Sequence, residues 1–566
     1  NNDRFLRAVW EVPPHEARAA TIRAESGRYL PYVKGAEGRE WMEPFRWVLR
    51  AGRAALELRV LVPNGRVERP AALGVAYTTI GHHFGARLHT AASVRDVAGA
   101  SVFAGPTVTA EALVCALNRS VVRELASALN PTVNFQLGDV RRLPFDAVEG
   151  AGEIVAVLRR AFAEEERGSE LSLDYASPRA STWQAARTWA QRAVDRPAGE
   201  PLSSPSLRAE EPPAWLRISH ALGVALGRFG LDGGLAGSSE RGLPDGILLL
   251  GPESPALGHP ACEALRDSWD AVAGKLGEGG DLGAYLRKGF FAEHRRLYEG
   301  RPIHLPLSSA KRTYVAYVSI HRFRPDTLAV LLAEHLLPER RKVEGQLTDI
   351  REARQGATSR AATERFTEVQ KLLEELNDFV AHVTEIAEKG PPAPDGKTEK
   401  REVDARYVFD LDDGVTVNSA ALWPLLEPQW KDPKKRWKEL ANAQGKSECD
   451  WSRLAARYFP DRVKKKCHDD PSLAVAHECF WELHPAKAYA WELRLQDEIG
   501  PDFTIDEPGS KAARAKFLAE EKRQAEELRA IAMKRRDRKT PKADEERSAG
   551  PLFGDREDEQ EEAIDE

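Results

Sequence analysis

An apolar heptad repeat in the second half of the chain is the strongest constraint on its fold. Seven apolar residues follow one another at alternating spacings of three and four, which are Phe366, Val369, Leu373, Leu376, Val380, Val383 and Ala387. Such spacing forms one stripe along a helix, and that stripe must be buried against a partner helix. A shorter apolar strip contains Val343, Leu347 and Ile350, and the polar segment 354–364 lies between the two. The pattern predicts an intramolecular helical hairpin or, alternatively, a coiled coil with another protein.

The first 150 residues show the alternating pattern of strands instead. Residues 55–60 alternate between apolar and polar, and the turn sequence Pro-Asn-Gly at 63–65 follows, which predicts a hairpin. Residues 73–80 and 101–103 are predicted to be further strands. One helix is predicted over 114–129, ending at Asn130 because the following proline disfavours helical geometry in that residue.

These changes of pattern predict an α+β, multidomain fold that is rich in strands at first and mainly helical afterwards. A Pro/Ser-rich linker near 195–215 and a Pro-rich linker at 391–400 separate its parts. The predicted segments are a strand-rich domain over 1–150, a helical segment and linker over 151–215, a mixed α/β domain over 216–330, the hairpin over 331–390, a Trp-rich domain over 391–500, and a charged helix with a disordered acidic tail over 501–566.

The distribution of charge matters more than its sum. The 566 residues have a net charge of −6, but residues 543–566 alone contribute −9, so the rest of the chain has a net charge of +3. Basic runs occur at 434–436 and 464–466. The chain is therefore compatible with binding nucleic acid.

Cysteine usage and hydropathy predict a cytoplasmic protein. The five cysteines are sparse, odd in number and form no CxxC pair, so a disulfide framework is not expected, and neither is a metal site. No run approaches the roughly 20 apolar residues that span a bilayer, and the first residues do not have the pattern of a signal peptide.

Two loops could be mistaken for ligand sites. The glycine-rich stretch 227–237 lacks the lysine of a phosphate-binding loop and is predicted to be a surface loop. The acidic turn 410–414 has the carboxylates of a calcium loop in the wrong alternation, and Ala421 stands where such a loop needs a glutamate. It is predicted to be a turn before a strand at 415–417.

Basic and imidazole side chains in the strand-rich domain are candidates for DNA contact. His82 and His83 are predicted to lie in a hairpin turn, and Arg87 and Arg95 in the adjoining strand and loop. Guanidinium groups can read guanine or bind phosphate, although arginine on a half-exposed strand is often merely solvated.

Three blocks, in order, resemble the target-recognition and C-terminal regions of BREX PglX-type and type IIG adenine-specific DNA methyltransferases. The first contains residues 81–89, 97–103, 113–120 and the turn Leu-Asn-Pro-Thr-Val-Asn-Phe-Gln-Leu-Gly-Asp at 129–139, which leads to Leu-Pro at 143–144. The other two blocks contain residues 282–294, 301–308, 314–317 and 321–328, and then 410–418, 450–460 and 470–477. Family members often have an aromatic residue where this chain has Leu305.

The resemblance implies that this chain reads DNA while a separate upstream domain binds S-adenosylmethionine and makes N6-methyladenine. It adds Arg119, Asn134 and Gln136 to the candidate DNA contacts. Its implied partners are double-stranded DNA, the catalytic methyltransferase domain and other defence-system proteins. The alternatives are a protein-interaction scaffold of a defence complex and part of a nuclease-fused restriction enzyme.

The chain departs from a complete methyltransferase at the catalytic loop. That loop has the form Asn/Asp-Pro-Pro-Tyr/Phe, in which the aromatic residue stacks on a flipped adenine. The three Pro-Pro pairs of this chain are followed by His15, Ala214 and Ala393, so none supplies the aromatic residue. We therefore expect no catalytic residue in this chain and no methyl transfer by this chain alone.

Overall fold

A computed structural model describes most of the chain up to residue 488. The described residues are 2–22, 28–35, 39–50, 73–95, 99–231, 233–236, 242–276, 281–356, 359–442 and 449–488, with 519, 522, 523 and 526. The hairpin predicted at 55–65 and nearly all of the predicted charged helix and acidic tail lie outside them. Two compact units are present, Asn1–Pro485 and Ala486–Glu566, and all the elements below belong to the first.

Short strands dominate the first hundred residues, as the sequence predicts. Two helices, α1 (Asn2–Phe5) and α2 (Pro14–Ile22), accompany them. The strands are β1 (Leu6–Ala8), β2 (Tyr29–Val33), β3 (Trp41–Glu43), β4 (Trp47–Arg50), β5 (Val75–Tyr77), β6 (Ala86–His89), β7 (Val94–Arg95) and β8 (Ser101–Val102).

These strands form two four-stranded sheets. The first has the order β1-β4-β2-β7, with β7 parallel to β2 and the other pairs antiparallel. The second has the order β3-β6-β5-β8, with β3 parallel to β6. In the second sheet Arg87 lies opposite Ala76 on one side and Trp41 on the other, so β6 is a central strand.

Helices cover the second sheet. They are α3 (Ala110–Leu117), α4 (Ser120–Leu129), α5 (Leu137–Val140), α6 (Ala151–Gly168) and α7 (Trp183–Val194). One hydrophobic core joins the strands to α6 and α7, since Trp41 and Phe84 are buried in the same cluster as Leu158 and Trp189. The helix predicted over 114–129 ends at Leu129 as expected, but it is interrupted between α3 and α4.

A third sheet lies further along the chain, with helices around it. Its order is β10-β11-β9, all antiparallel, and every residue of its three strands is buried. The elements of this region are α8 (Trp215–Ala225), β9 (Ile247–Leu250), α9 (Glu263–Val272), α10 (Leu282–Lys288), α11 (Phe290–Leu297), β10 (His304–Ser308) and β11 (Val315–Ser319).

The heptad repeat forms the predicted hairpin within the chain itself. Helix α12 (Thr327–Val330) continues through a π-helical turn (Leu331–Leu336) into α13 (Leu337–Gly356), and α14 (Arg360–Lys389) returns along it. Val369, Leu376, Val380 and Val383 of the repeat are buried, and its other three members are half-buried. The intramolecular alternative is therefore confirmed.

The region after the hairpin is helical. Its helices are α15 (Val415–Ala420), α16 (Trp423–Leu426), α17 (Asp432–Ala441), α18 (Arg453–Tyr458), α19 (Pro460–Asp469), α20 (Pro471–Ala476) and α21 (Phe480–Leu483). Short 3-10 helices occur at Val9–Glu11, Pro255–Gly258, Pro260–Cys262, Ala273–Lys275 and Leu411–Asp413.

The strand predicted at 415–417 is wrong, because these residues begin α15. Gly414, with φ at 80°, turns the chain into the helix in a conformation that favours glycine. The buried Glu11 carboxylate then accepts a hydrogen bond of 2.8 Å from the Val415 N–H, which lacks a helical partner. A partner some 400 residues away thus overrides the strand preference of two valines and a threonine.

The mixture of small sheets and many helices confirms the α+β fold class. Among the described residues, no helix is both long enough and apolar enough to cross a membrane.

Candidate nucleic-acid interface

The turn between β5 and β6 presents two exposed histidines. Thr78 donates its backbone N–H to the Gly85 carbonyl at 2.9 Å and thereby closes the turn. His82 and His83 lie at its tip and are exposed, whereas Phe84, the next residue, is 1% exposed. The histidines therefore project from a turn whose base is fixed in the core.

A second exposed pair comes from the segment after α4. Asn134 and Gln136 are exposed, and Phe135 between them is 2% exposed. The Phe135 ring meets the Phe84 ring edge to face at a centroid distance of 5.4 Å. One aromatic contact beneath the surface thus anchors both exposed pairs.

Backbone pairing joins the two segments directly. Ile80 forms an antiparallel bridge with Asn134, and the Gly81 N–H donates to the Val133 carbonyl at 2.8 Å. Four of the seven residues that the sequence analysis selected, His82, His83, Asn134 and Gln136, are therefore brought to one surface. We call this group the polar tip.

The turn at 130–139 is held by its own side chains. The Asn130 amide donates to the Asn134 carbonyl at 2.7 Å and to the Asp139 carboxylate at 2.8 Å, and its oxygen accepts from the Thr132 hydroxyl at 2.6 Å. Asp139 also accepts the Gln136 N–H at 3.0 Å, and the hydrogen bonds from Asn130 and Gln136 lower the pKa of this carboxyl. Within the motif, Asn130, Thr132 and Asp139 thus shape the turn that displays Asn134 and Gln136.

Asn118, which the sequence analysis did not single out, explains the break between α3 and α4. It is fully buried, donates its amide to the Ala86 carbonyl at 2.8 Å and accepts the Ala86 N–H at 2.9 Å. The side chain thus pairs with the start of β6 as a neighbouring strand would. In the sequence, the position of Asn118 within the Leu-Asn-Arg-Ser stretch at 117–120 was the feature that could have indicated this role.

Arg87 is not placed to contact DNA. It is fully buried in the second sheet, where its guanidinium forms an ion pair with Glu43. A buried arginine in a central strand cannot reach a phosphate or a base edge without opening the sheet. The sequence did not indicate this burial, because the two faces of a short central strand can both be covered.

Arg95 and Arg119 belong to elements other than the turn between β5 and β6. Arg95 pairs with Val33 in the first sheet, and its side chain is outside the described residues. Arg119 precedes α4, has 27% of its side chain exposed and lies 3.3 Å from Asp146. Neither residue belongs to the two paired segments that form the polar tip.

Two exposed arginines that the sequence analysis passed over follow the turn. Arg141 and Arg142 come directly after α5 and are exposed. The dipeptide lies between the family-like motif at 129–139 and the Leu-Pro pair at 143–144. Two adjacent basic residues close to this motif were the sequence signal for it. Such guanidinium groups can supply phosphate contacts, while histidine and carboxamide groups can hydrogen-bond to base edges.

The glycine-rich stretch does not fit a cofactor cradle. Its described residues follow helix α8 rather than a strand, and the loop packs closely, since a Cβ on Gly233 would lie 2.7 Å from the Ala176 carbonyl oxygen. A nucleotide or S-adenosylmethionine needs an open backbone approach at this point. Within the described part of the chain, no three His, Cys, Asp or Glu side chains are grouped to hold a metal ion.

Comparison with known proteins relates the chain to the adenine-specific methyltransferases of the BREX PglX type. It is 22% identical over 506 residues to the adenine-specific methyltransferase PglX of Lacticaseibacillus casei (strain Zhang), a match that covers 74% of this chain and 41% of that protein. It is 24% identical over 159 residues to the adenine-specific methyltransferase BrxX of Escherichia coli O9:H4 (strain HS), covering 28% of this chain and 12% of that protein. No protein-family model matches the chain.

Proposed function

We propose that this chain is the DNA-reading part of an adenine-specific DNA methyltransferase in a phage-defence system. Methyl transfer from S-adenosylmethionine is assigned to a module outside the described residues, since the glycine-rich loop does not fit the cofactor. The observation that supports this most strongly is the polar tip, held rigid by Phe84 and Phe135 in a chain related to adenine-specific methyltransferases.

The chemistry of the polar tip is suited to reading bases. A carboxamide can donate to N7 and accept from N6 of adenine in the major groove, and Asn134 and Gln136 carry this group. Their turn is fixed by Asn130 and Asp139, so little conformational entropy is lost on binding. Arg141 and Arg142 are placed to add phosphate contacts, which give affinity that depends on salt.

The experiment separates affinity from specificity. The purified chain is used to select duplexes from a random pool, and binding to the enriched duplex is measured by fluorescence anisotropy over a range of salt. We expect the Asn134→Ala/Gln136→Ala variant to lose about 1–3 kcal/mol of discrimination for each base contact removed.

The double variant Arg141→Ala/Arg142→Ala should weaken binding to all sequences. It should also lower the slope of log affinity against log salt by about 2, at roughly 0.9 for each phosphate contact. The matched control is Arg159→Ala/Arg160→Ala, an adjacent exposed pair on α6 that should change nothing. The proposal fails if no duplex is enriched, or if the Asn134/Gln136 variant selects the same sequences with unchanged affinity.

A further inference from the structure

A cavity of about 430 Å³ lies where four parts of the chain meet. Its walls come from the end of α6, the segment that leads into α7, the segment that leads into α8, and the end of α11. Two of these segments are paired through their backbones, since the Ser181 N–H donates to the Glu210 carbonyl at 3.0 Å and the Glu210 N–H donates back at 2.9 Å. The walls are therefore fixed by the fold, and the volume is within the range of small-molecule sites.

Carboxylates dominate the charge of this cavity. Four glutamates line it against one basic residue, Arg179, and they are Glu165, Glu170, Glu210 and Glu211. Within the described part of the chain, none of the four forms an ion pair, and the Arg179 guanidinium donates to a nearby serine instead. An excess of acidic groups in a concave site attracts cations and repels phosphate.

Glu170 is the buried member of this group. It is 3% exposed, whereas Glu165 is half-buried and the other two are exposed. Its Oε2 atom accepts hydrogen bonds from the Tyr298 hydroxyl at 2.8 Å and the Ser219 hydroxyl at 2.9 Å. Its Oε1 atom, in contrast, has no hydrogen-bond partner among the described residues. Leaving a buried carboxylate oxygen without a partner is costly, so Oε1 indicates a donor that the chain itself does not supply.

The cation that the chain places near Glu170 does not neutralise it. Arg228 is buried nearby, but among the described residues it forms no ion pair with Glu170. Burial raises the pKa of Glu170 to about 7, although the hydrogen bonds from Tyr298 and Ser219 and the charge of Arg228 lower it. About half of the folded molecules therefore carry a proton on this carboxyl at pH 7. A cation that enters the cavity favours the ionised form and expels that proton.

Apolar side chains form the rest of the wall. Trp183, Leu216 and Leu297 are among them. An indole ring attracts an ammonium group through a cation–π interaction, and aliphatic side chains favour methylene groups over water. Carboxylates at two depths, with Glu170 buried and others exposed, suit a ligand that has several ammonium groups joined by short hydrocarbon chains.

We propose that this cavity binds a small aliphatic polyamine, with one ammonium group donating to Glu170 Oε1 and a hydrocarbon segment packed against Trp183. An ammonium group has three N–H donors and therefore supplies what Oε1 lacks. A metal ion fits less well, because no three His, Cys, Asp or Glu side chains of the described ranges are grouped to hold one. The inference does not depend on the reading of DNA by the polar tip.

Isothermal titration calorimetry of the full chain with putrescine, a four-carbon diamine, tests the proposal. The four-carbon diol, which has hydroxyl groups in place of the amines, is the matched ligand. We expect one putrescine to bind per chain and the diol not to bind. Titrations at pH 7 in two buffers of different ionisation enthalpy should show the release of about half a proton for each putrescine bound, because Glu170 becomes fully ionised.

Variants of the carboxylates locate the site. Glu170→Gln keeps an acceptor for Tyr298 and Ser219 but removes the charge, so the affinity for putrescine should fall about tenfold or more. Glu153→Gln, at an exposed position of α6 outside the cavity, is the matched control and should bind as the parent chain does. The acidic segment 543–566 is present in every variant, so any attraction that it exerts on the diamine is common to all.

A second variant keeps the test valid if thermal unfolding shows that Glu170→Gln does not fold. Glu210→Gln/Glu211→Gln changes only exposed side chains and should lower the affinity several-fold. The proposal is overturned if the parent chain does not bind putrescine, as expected if water alone satisfies Oε1, or if the diol binds equally well. It is also overturned if a folded Glu170→Gln variant binds putrescine with the affinity of the parent chain or, where that variant does not fold, if the double variant does so.

Discussion

Asn118 shows how one buried side chain can determine the position of a whole turn. Its amide satisfies both backbone groups of Ala86, the first residue of β6. Burial makes this pairing costly to lose, because an unsatisfied buried donor or acceptor costs about 1–3 kcal/mol. The turn that contains His82 and His83 ends at Ala86, the residue to which Asn118 is hydrogen-bonded.

We therefore expect Asn118→Ala to destabilise the chain strongly, by about 2–4 kcal/mol, since two buried backbone groups lose their partner. Urea unfolding followed by circular dichroism measures the loss. Asn134→Ala is the matched control, because Asn134 is exposed and its removal should cost less than about 0.5 kcal/mol. Equal stability of the two variants would contradict this role for Asn118.

Among the elements, the α13–α14 hairpin is the part most fully determined by its own pattern. The four most buried members of the repeat, Val369, Leu376, Val380 and Val383, lie on one stripe of α14. Glu375, buried beside them, accepts hydrogen bonds from Ser309 at 2.5 Å and Thr313 at 2.8 Å, so the hairpin is also tied to the loop before β11.

Two leucines three residues apart test the packing of the hairpin. Leu376 is fully buried and Leu373 is half-buried. We expect Leu376→Ala to cost about 2–5 kcal/mol through lost burial and a residual cavity. Leu373→Ala, the matched control, should cost about 1 kcal/mol. Urea midpoints at constant m-value provide the comparison, and a larger loss for Leu373 would reverse the assigned orientation of α14.

Elements with a strong local signal could be predicted from the sequence, and elements determined by distant partners could not. The heptad repeat predicted the hairpin, and Pro131 predicted the end of α4. The strand predicted at 415–417 failed because Glu11 caps that segment as a helix. The break at Asn118 was not predicted because it depends on a hydrogen bond to Ala86, 32 residues earlier.

The candidate interface was partly predictable for the same reason. His83 precedes the buried Phe84, and Asn134 and Gln136 flank the buried Phe135. Such alternation is visible in a sequence. Burial of Arg87 depends on its partner Glu43 and on neighbouring strands that pair on both sides of β6, which no local pattern shows.

At the scale of the whole molecule, buried ionisable groups make stability depend on pH. His294 and His304 are fully buried and stack on one another at a centroid distance of 5.1 Å. Burial lowers the pKa of His294 to about 3 and that of His304 well below its usual value of 6.5. Burial also raises the pKa of Glu170 to about 7, although Tyr298 and Ser219 donate hydrogen bonds to it.

The buried histidines and the buried Glu170 change the free energy of unfolding in opposite directions as the pH falls. Below pH 6.5 the unfolded chain protonates His294 and His304 while the folded chain leaves them neutral, so each of these two residues removes stability as the pH falls. Glu170 takes up its proton first in the folded chain, so it adds stability as the pH falls from about 7 to 4.5.

A histidine variant isolates one of these contributions. We expect His304→Gln to flatten the dependence of unfolding free energy on pH between 6.5 and 4.5, by about 1.4 kcal/mol per pH unit relative to the parent chain. Urea unfolding across that range provides the measurement, with His82→Gln, at an exposed position, as the control. An unaltered slope in His304→Gln would show that this imidazole titrates in the folded chain as it does in water.

The contact of Glu11 with Val415 also has a consequence for biosynthesis. The two residues are separated by 404 positions, and Arg301, which pairs with the same carboxylate, follows Glu11 by 290. A ribosome adding about 5–20 residues per second needs roughly 20–80 s to reach the later partner. Glu11 lies in the short 3-10 helix that follows β1, and its early partner is the Ala8 N–H. Its contact with Val415 forms only after the helical hairpin has been made, although all strands of the first sheet were translated long before.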